Sequence, residues 1–146
     1  MKNMRLVQMQ SRLFASYNYA SSSHPKVWLD VHKDGHSAGR LTFELYESHT
    51  PFLVENFMQF LTGKAQNGKK SLVGTAFDKS LPGLGVFGGD FHEAENVGFN
   101  NERLRDENLE MRHHKRGLLT MVSDGPNSNG SKFMVTFNEA NYLNGY

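Results

Sequence analysis

The sequence predicts a mainly β domain, a barrel or sandwich of many short strands with one or two helices. Two runs of alternating apolar and polar residues, at 27–32 and 40–46, have the period of strands and flank an Asp34-Gly35 turn signal. Fourteen glycines and eleven phenylalanines among 146 residues are typical of a turn-rich β protein with an aromatic core. This length suits a single domain.

The two alternating runs predict a hairpin in which Leu41, Phe43 and Leu45 share one face. Further short strands are predicted around 76–77, 86–87, 117–122 and 132–137, with a helical turn within 138–143. The polar segment 64–71 is predicted to be a loop.

One helix is predicted to begin at Pro51, with the hydroxyl of Thr50 as its cap, and to end at Thr62-Gly63. Its apolar residues recur at i, i+3, i+4 and i+7, which places them on one stripe that faces a core. These residues are Val54, Phe57, Met58 and Leu61.

Composition excludes several classes of function. A net charge of +1 argues against broad electrostatic binding of nucleic acid. The absence of cysteine excludes disulfides, thiol catalysis and cysteine-based zinc sites. No apolar run approaches the roughly 20 residues that span a membrane, so no transmembrane segment is predicted.

The N-terminal extension, residues 1–24, has a different composition from the domain predicted at 25–146. Residues 1–29 contain no acidic side chain, whereas Lys2, Arg5, Arg12 and Lys26 are basic. Such a segment is typical of a mitochondrial presequence, and 12–16 resembles a matrix-peptidase cleavage site. We expect the extension to be retained and ordered by a partner; a flexible basic tail on a cytosolic protein is the alternative.

Five segments, in order, carry a resemblance to a known family. They are AGRLTFELY at 38–46, TPFLVENFMQFLTG at 50–63, FDKSLPGLGVFGGDF at 77–91, DEN at 106–108, and GLLTMVSDGPNSNGSKFMVTF at 117–137. From Val27 to Gly145 the chain resembles the cyclophilins, the cyclosporin-binding class of peptidyl-prolyl isomerases. The resemblance implies an antiparallel β-barrel with a capping helix, here incomplete at the C-terminus.

The resemblance also implies a proline groove, most of whose functional residues are replaced here. Lys79 stands at the position of the arginine that members of the family aim at the prolyl nitrogen. A lysine keeps the charge but lacks the planar fork. Phe87 replaces a glutamine that holds the substrate backbone, and Gly85 replaces a methionine of the pocket. Phe77 is kept as an aromatic wall, and Leu143 is also kept.

The remaining groove positions are changed in the same way. Leu84 and Met134 replace pocket phenylalanines, and Tyr142 replaces a tryptophan. The pair that meets the substrate backbone becomes Val122-Ser123, and Lys132 replaces a glutamine. The vestigial groove thus comprises Phe77, Lys79, Leu84, Phe87, Val122, Ser123, Lys132, Met134, Tyr142 and Leu143.

No cofactor or metal is expected. Four of the seven histidines are scattered through polar turns, and His113-His114 lie in a basic loop, Arg112–Arg116, which is expected to be solvated. The triplet Asp106-Glu107-Asn108 could pass for a pair of catalytic acids, but the resemblance indicates a structural role.

We therefore predict a non-catalytic cyclophilin-like accessory subunit of a large mitochondrial complex, on the matrix side or associated with the inner membrane. A respiratory-chain complex is favoured over the mitochondrial ribosome because the net charge is near zero. Neighbouring subunits are the expected partners; they would complete the barrel and order the tail. Two alternatives are an active mitochondrial prolyl isomerase that assists folding and a module that binds proline peptides.

Overall fold

The computed structural model describes residues 24–93 and 95–145, together with the backbone of residues 7–10. Most of the N-terminal extension, and with it the predicted targeting segment, lies outside the described residues. Along the chain the elements are β1 (Val7–Gln10), β2 (Lys26–Lys33), β3 (His36–Glu44), α1 (Pro51–Leu61), α2 (Ala65–Gly68), β4 (Ala76–Leu81), β5 (Gly85–Gly88), β6 (Leu119–Ser123), β7 (Asn129–Thr136) and a 3₁₀ turn (Asn141–Leu143).

The seven strands form one antiparallel sheet in the order β3-β2-β1-β4-β5-β7-β6. The predicted hairpin is confirmed as β2 and β3, and the four later strand predictions are confirmed as β4 to β7. Strand β1 lies between β2 and β4 and pairs with both. Within the described residues the sheet is not closed into a barrel, because β3 and β6 stand at its two ends.

Helix α1 begins at Pro51 and packs its predicted apolar stripe against the core face of the sheet. Phe57 is 3% exposed, and its ring meets that of Phe133 edge-on at 5.4 Å between centroids. Phe60, at 1%, stacks on Phe91 at 5.6 Å. Burying each such side chain stabilises the fold by about 1.5–3 kcal/mol.

The predicted cap of α1 is wrong. The Thr50 hydroxyl makes no capping hydrogen bond; it donates instead to the carbonyl of Tyr46 at 3.3 Å. Glu107 takes the capping role from far along the chain, because its two carboxylate oxygens accept from the backbone N–H groups of Phe52 and Leu53 at 3.0 and 2.7 Å. A carboxylate at this end of a helix also complements the helix dipole.

The segment predicted to be a polar loop contains the single turn α2. Gln66 and Asn67 have φ angles of 51° and 58°, in the left-handed region. Asparagine tolerates this region better than most residues. Because two consecutive residues depart from right-handed helical φ and ψ angles, the turn does not extend into a longer helix. No helix in the described part of the chain is both long and apolar enough to cross a membrane.

Two buried asparagines hold the long connection between β5 and β6 against the sheet. Asn56, on α1, donates to Gly130 O at 2.7 Å and accepts from Phe99 N at 2.9 Å. Asn96 donates to Val122 O at 2.8 Å and accepts from Ser131 N at 3.0 Å. Because buried polar groups must find partners, these side chains determine where the connection lies.

Candidate functional site

The strand register brings three of the predicted groove residues into one row. Lys79 of β4 lies opposite Phe87 of β5, and Phe87 lies opposite Met134 of β7, which in turn faces Thr120 of β6. Since side chains alternate across a sheet, this row is on the face opposite the core residue Phe133. Residues of four adjacent strands therefore share one face of the sheet, which we call the groove face.

Lys79 is exposed on the groove face, and its ammonium lies 5.8 Å from the centroid of the Phe87 ring. This is within the range of a cation–π contact, which contributes about 0.5–1 kcal/mol at an exposed site. An ammonium is a compact point charge and cannot present the two parallel donors of a guanidinium. Phe87 offers its ring to the lysine and no side-chain hydrogen bond to a substrate.

Met134 occupies the space beside Gly85 on the same face. A Cβ atom at Gly85 would lie 2.5 Å from Val135 O and 2.9 Å from the Cγ of Met134. Met134 itself is only 3% exposed. The methionine therefore fills part of the pocket that the resemblance implies, and a larger residue at position 85 would collide with backbone.

Phe77 lies apart from this row. The sequence prediction placed its ring in an aromatic pocket wall; the structure places it in the core, 8% exposed, with its centroid 6.2 Å from that of Phe133. The cause is a register shift between Phe77 and Lys79, where β4 has one more residue than β5. Such a bulge reverses the alternation, so the two side chains point to opposite faces.

The remaining predicted residues lie outside the row of Lys79, Phe87 and Met134. Leu84 is half-buried, and its carbonyl accepts from Phe137 N at 2.8 Å. Val122 and Ser123 end β6, where Ser123 faces Asn129. Tyr142 is 67% exposed, whereas Leu143 in the same 3₁₀ turn is half-buried.

Lys132 contributes to a charged cluster with Asp78, Asp90 and His92. Its ammonium lies 3.4 Å from Asp90 Oδ2, and both imidazole nitrogens of His92 lie 3.9 Å from one or other carboxylate. Partial burial raises the pKa of Asp78, helped by the nearby charge of Asp90. Burial acts in the same direction on Asp90, but the His92 N–H and the Lys132 charge outweigh it and hold the Asp90 pKa below its usual value.

These opposite pKa shifts predict that replacing each carboxyl with an amide changes the melting temperature in opposite directions. Because the folded state raises the pKa of Asp78, ionising this group opposes folding, so Asp78→Asn should raise the melting temperature at pH 7. Because the folded state lowers the pKa of Asp90, its charge supports folding at pH 7, and Asp90→Asn should lower the melting temperature.

Both effects should fade in acid, where each carboxyl is protonated in either state. The Asp78 effect should disappear as the pH falls towards the unfolded-state value of about 3.9, and the Asp90 effect only at or below it. Thermal melts of the two variants and the unmodified chain between pH 7 and pH 3 measure this. Shifts of the same sign at pH 7, or shifts that persist unchanged at pH 3, would contradict the electrostatic account.

The acidic triplet has a structural geometry. Glu107 caps α1, and Asp106 accepts from Asn127 N at 2.9 Å and from the Asn129 amide at 2.7 Å. Asn108 accepts from the backbone of Glu110 and Met111. Each of the three side chains accepts hydrogen bonds from backbone N–H or amide groups. These bonds hold loops and the start of α1 in place, which is a structural role rather than that of a pair of catalytic acids.

His113 is more than the solvated loop residue that the sequence indicated. It is half-buried; one ring nitrogen lies 3.1 Å from Thr120 Oγ1 and the other 3.1 Å from Asn144 Oδ1. It thereby ties the C-terminal segment to β6, at the end of the groove-face row. In the described residues, no group of three or more histidine or carboxylate side chains is arranged to hold a metal ion.

An open antiparallel sheet with one long helix on its core face makes this a mainly β domain. A family model described as "Cyclophilin type peptidyl-prolyl cis-trans isomerase/CLD" matches residues 28–146, which is most of the chain. The chain belongs to the cyclophilin family. The match confirms the resemblance predicted for Val27 to Gly145.

Prolyl isomerisation must overcome the roughly 20 kcal/mol barrier to rotation about a peptide bond. Catalysis requires hydrogen-bond donors that are positioned to stabilise the twisted amide of the transition state. The row of Lys79, Phe87 and Met134 offers a ligand one ammonium and one aromatic ring, because Met134 is only 3% exposed. This surface can make apolar contacts and attract an anion, but the row holds neither a guanidinium nor an amide for the reaction.

Proposed function

We propose that this cyclophilin-family chain is a non-catalytic accessory subunit of a larger assembly. The observation that carries the proposal is the groove face itself, where Lys79 contacts Phe87 and Met134 fills the space beside Gly85. Removing one well-placed donor from an enzyme site costs about 10²–10³ in rate, and here two donor positions hold lysine and phenylalanine.

The proposed host is a mitochondrial complex, with a respiratory-chain complex favoured over the ribosome. The basic, acid-free N-terminal segment supports mitochondrial import. The net charge of +1 supports a protein host, because a subunit that meets ribosomal RNA benefits from a larger positive charge.

Lack of catalysis is tested by the cis-to-trans conversion of a short proline peptide with the full chain. We expect the uncatalysed rate. Lys79→Arg should not raise it, because Phe87 and Gly85 still lack the groove contacts. A rate above background that Lys79→Ala abolishes would instead establish an active isomerase.

The subunit role is tested by native purification of the tagged full chain from mitochondria, followed by mass spectrometry of its partners. We expect the same partners in fixed stoichiometry. Recovery of the chain alone, or outside mitochondria, would contradict the proposed role or the proposed location.

A proline-peptide-binding module is the second candidate, and two exposed aromatic rings favour it. Tyr142 is 67% exposed and Phe137 41%. Such a module would bind a proline peptide saturably without accelerating its isomerisation, and Tyr142→Ala would weaken that binding.

A further inference from the structure

A chain of hydrogen bonds joins three polar side chains near the start of β2, at the end of β3 and in the turn that follows. The Ser48 hydroxyl lies 2.7 Å from Nε2 of His24, and Nδ1 of His24 lies 3.1 Å from Oε1 of Glu44. A hydroxyl, an imidazole and a carboxylate in this order form the arrangement in which a general base activates a nucleophilic serine. We call these three residues the Ser48 triad.

Backbone pairing between β2 and β3 brings the triad together. The two strands pair as far as Glu44, and beyond them Leu45 N donates to Pro25 O at 2.9 Å. His24 precedes Pro25 and is therefore held beside the end of β3. The chain then turns before α1, and this turn carries Ser48 back to the imidazole.

The partners of His24 determine which of its nitrogens carries the proton. A carboxylate can only accept, so in the neutral imidazole the Nδ1 beside Glu44 carries the proton and Nε2 has a lone pair. The Ser48 hydroxyl then donates to Nε2, which is the direction that a general base needs. Nδ1 of His49 lies 3.0 Å from Ser48 Oγ and donates to that oxygen, because the hydroxyl proton is already used.

The imidazole of His24 is packed, whereas Ser48 is open to solvent. The His24 side chain is 15% exposed, and its ring meets that of Tyr46 edge-on, with 5.5 Å between centroids. Such packing limits rotation of the ring, so its two nitrogens stay directed at Ser48 and Glu44. Ser48 is exposed, and a small reagent can therefore reach its hydroxyl from solvent.

Among the serines that the structure describes, Ser48 alone has an imidazole at its hydroxyl. The hydroxyls of Ser128 and Ser131 donate to backbone carbonyls instead. Ser37 on β3 is exposed and stands next to a histidine in the chain, yet its hydroxyl contacts no imidazole of the described residues. Ser37 is therefore a matched control for Ser48.

We propose that Ser48 is an acylation site, at which an activated ester transfers its acyl group to the serine hydroxyl. Ser48 Oγ attacks the carbonyl carbon while His24 Nε2 takes the hydroxyl proton, and Glu44 stabilises the resulting imidazolium. The bond from that carbon to the leaving oxygen then breaks, and the leaving group departs with the electron pair and takes the proton from His24. The products are an O-acyl serine and a free alcohol or phenol.

This site is separate from the groove face, which is formed by β4 to β7, and it does not depend on the proposed subunit role. Acylation would add a group to the surface beside the start of α1. It requires no donor of the isomerase groove.

The first test mixes the full chain with p-nitrophenyl acetate, follows the release of p-nitrophenolate, and locates acetyl groups by peptide mass spectrometry after quenching in acid. We expect an acetyl ester on Ser48 and slower release by Ser48→Ala. Ser37→Ala should react like the unmodified chain. Equal release by the unmodified chain and Ser48→Ala, or acetyl groups confined to lysine and histidine side chains, would overturn the proposal.

The second test asks whether His24 acts as a base or only as a hydrogen-bond partner. In His24→Gln the amide can still contact Ser48 but cannot take up a proton, so acetylation of Ser48 should become about 100-fold slower or more. His36→Gln changes an exposed histidine outside the triad and should have no effect. Acetylation of Ser48 at an unchanged rate in His24→Gln would refute the role of the base.

The third test measures the tautomer of His24 in the unmodified chain, so its outcome does not depend on whether a variant folds. Nitrogen-15 NMR of the neutral imidazole should place the proton on Nδ1. A proton on Nε2 would overturn the proposal, because that nitrogen could not accept from Ser48. Glu44 is a positioning residue, and Glu44→Gln should lower the Nδ1–H fraction and slow acetylation about tenfold or more. If neither changes, Glu44 has no part in the site.

Discussion

Replacing Gly89 with alanine is expected to lower the free energy of unfolding by about 2–5 kcal/mol. Gly89 has a φ of +77°, a left-handed conformation that is unfavourable for alanine by about 1–2 kcal/mol. A Cβ atom would also overlap the carbonyl oxygen of Ser131 and lie 3.0 Å from the Phe133 ring. The segment at Gly89 and strand β7 cannot easily move apart, because the Ser131 hydroxyl donates to Gly89 O at 2.6 Å.

Gly83→Ala is the matched control for this prediction. Gly83 has nearly the same φ, +82°, but no atom lies within 4 Å of a Cβ placed there. The loss of unfolding free energy in Gly83→Ala should therefore be limited to the cost of the left-handed conformation, about 1–2 kcal/mol. Urea denaturation of the full chain and both variants gives the comparison. Equal losses of unfolding free energy in the two variants would mean that the contact of residue 89 with Ser131 and Phe133 can accommodate a methyl group.

The second large effect is expected for Asn56→Leu, which should destabilise the domain by about 2–6 kcal/mol. Asn56 is fully buried, and leucine has nearly its size but no polar atom. The substitution leaves Gly130 O and Phe99 N buried without their partner, and each unsatisfied group costs about 1–3 kcal/mol. The loss should appear together with faster amide exchange around Phe99.

Asn138→Leu provides the comparison for Asn56. Asn138 is exposed, and its amide makes one longer hydrogen bond, 3.3 Å to Gly83 O. Water can replace that bond, so the change in unfolding free energy should stay within about 0.5 kcal/mol. Similar losses of unfolding free energy for the two variants would show that burial does not determine how much the Asn56 hydrogen bonds stabilise the domain.

Local patterns in the sequence predicted most of the elements. The alternation at 27–32 and 40–46 gave β2 and β3, and the spacing of Val54, Phe57 and Leu61 gave the buried face of α1. These predictions succeed because strand and helix periods are properties of neighbouring residues. The family was recognisable for a related reason, since its motifs are short contiguous segments such as 125–133.

The errors concern contacts between residues far apart in the chain. Thr50 had the right chemistry for a helix cap, but Glu107, 55 residues away, accepts the N–H groups. His113 had the setting of a solvated loop, but it bridges Thr120 and Asn144. The sequence did not predict strand β1, whose pairing with β2 and β4 is also long-range.

By itself the sequence determined the family and the mainly β class, because these depend on residue identity and short-range spacing. The tertiary structure alone decided which face each residue occupies. One bulge sends Phe77 into the core and Lys79 to the opposite face, and the strand order places β1 between β2 and β4. Register and strand order arise from backbone pairing between distant segments, which no local pattern specifies.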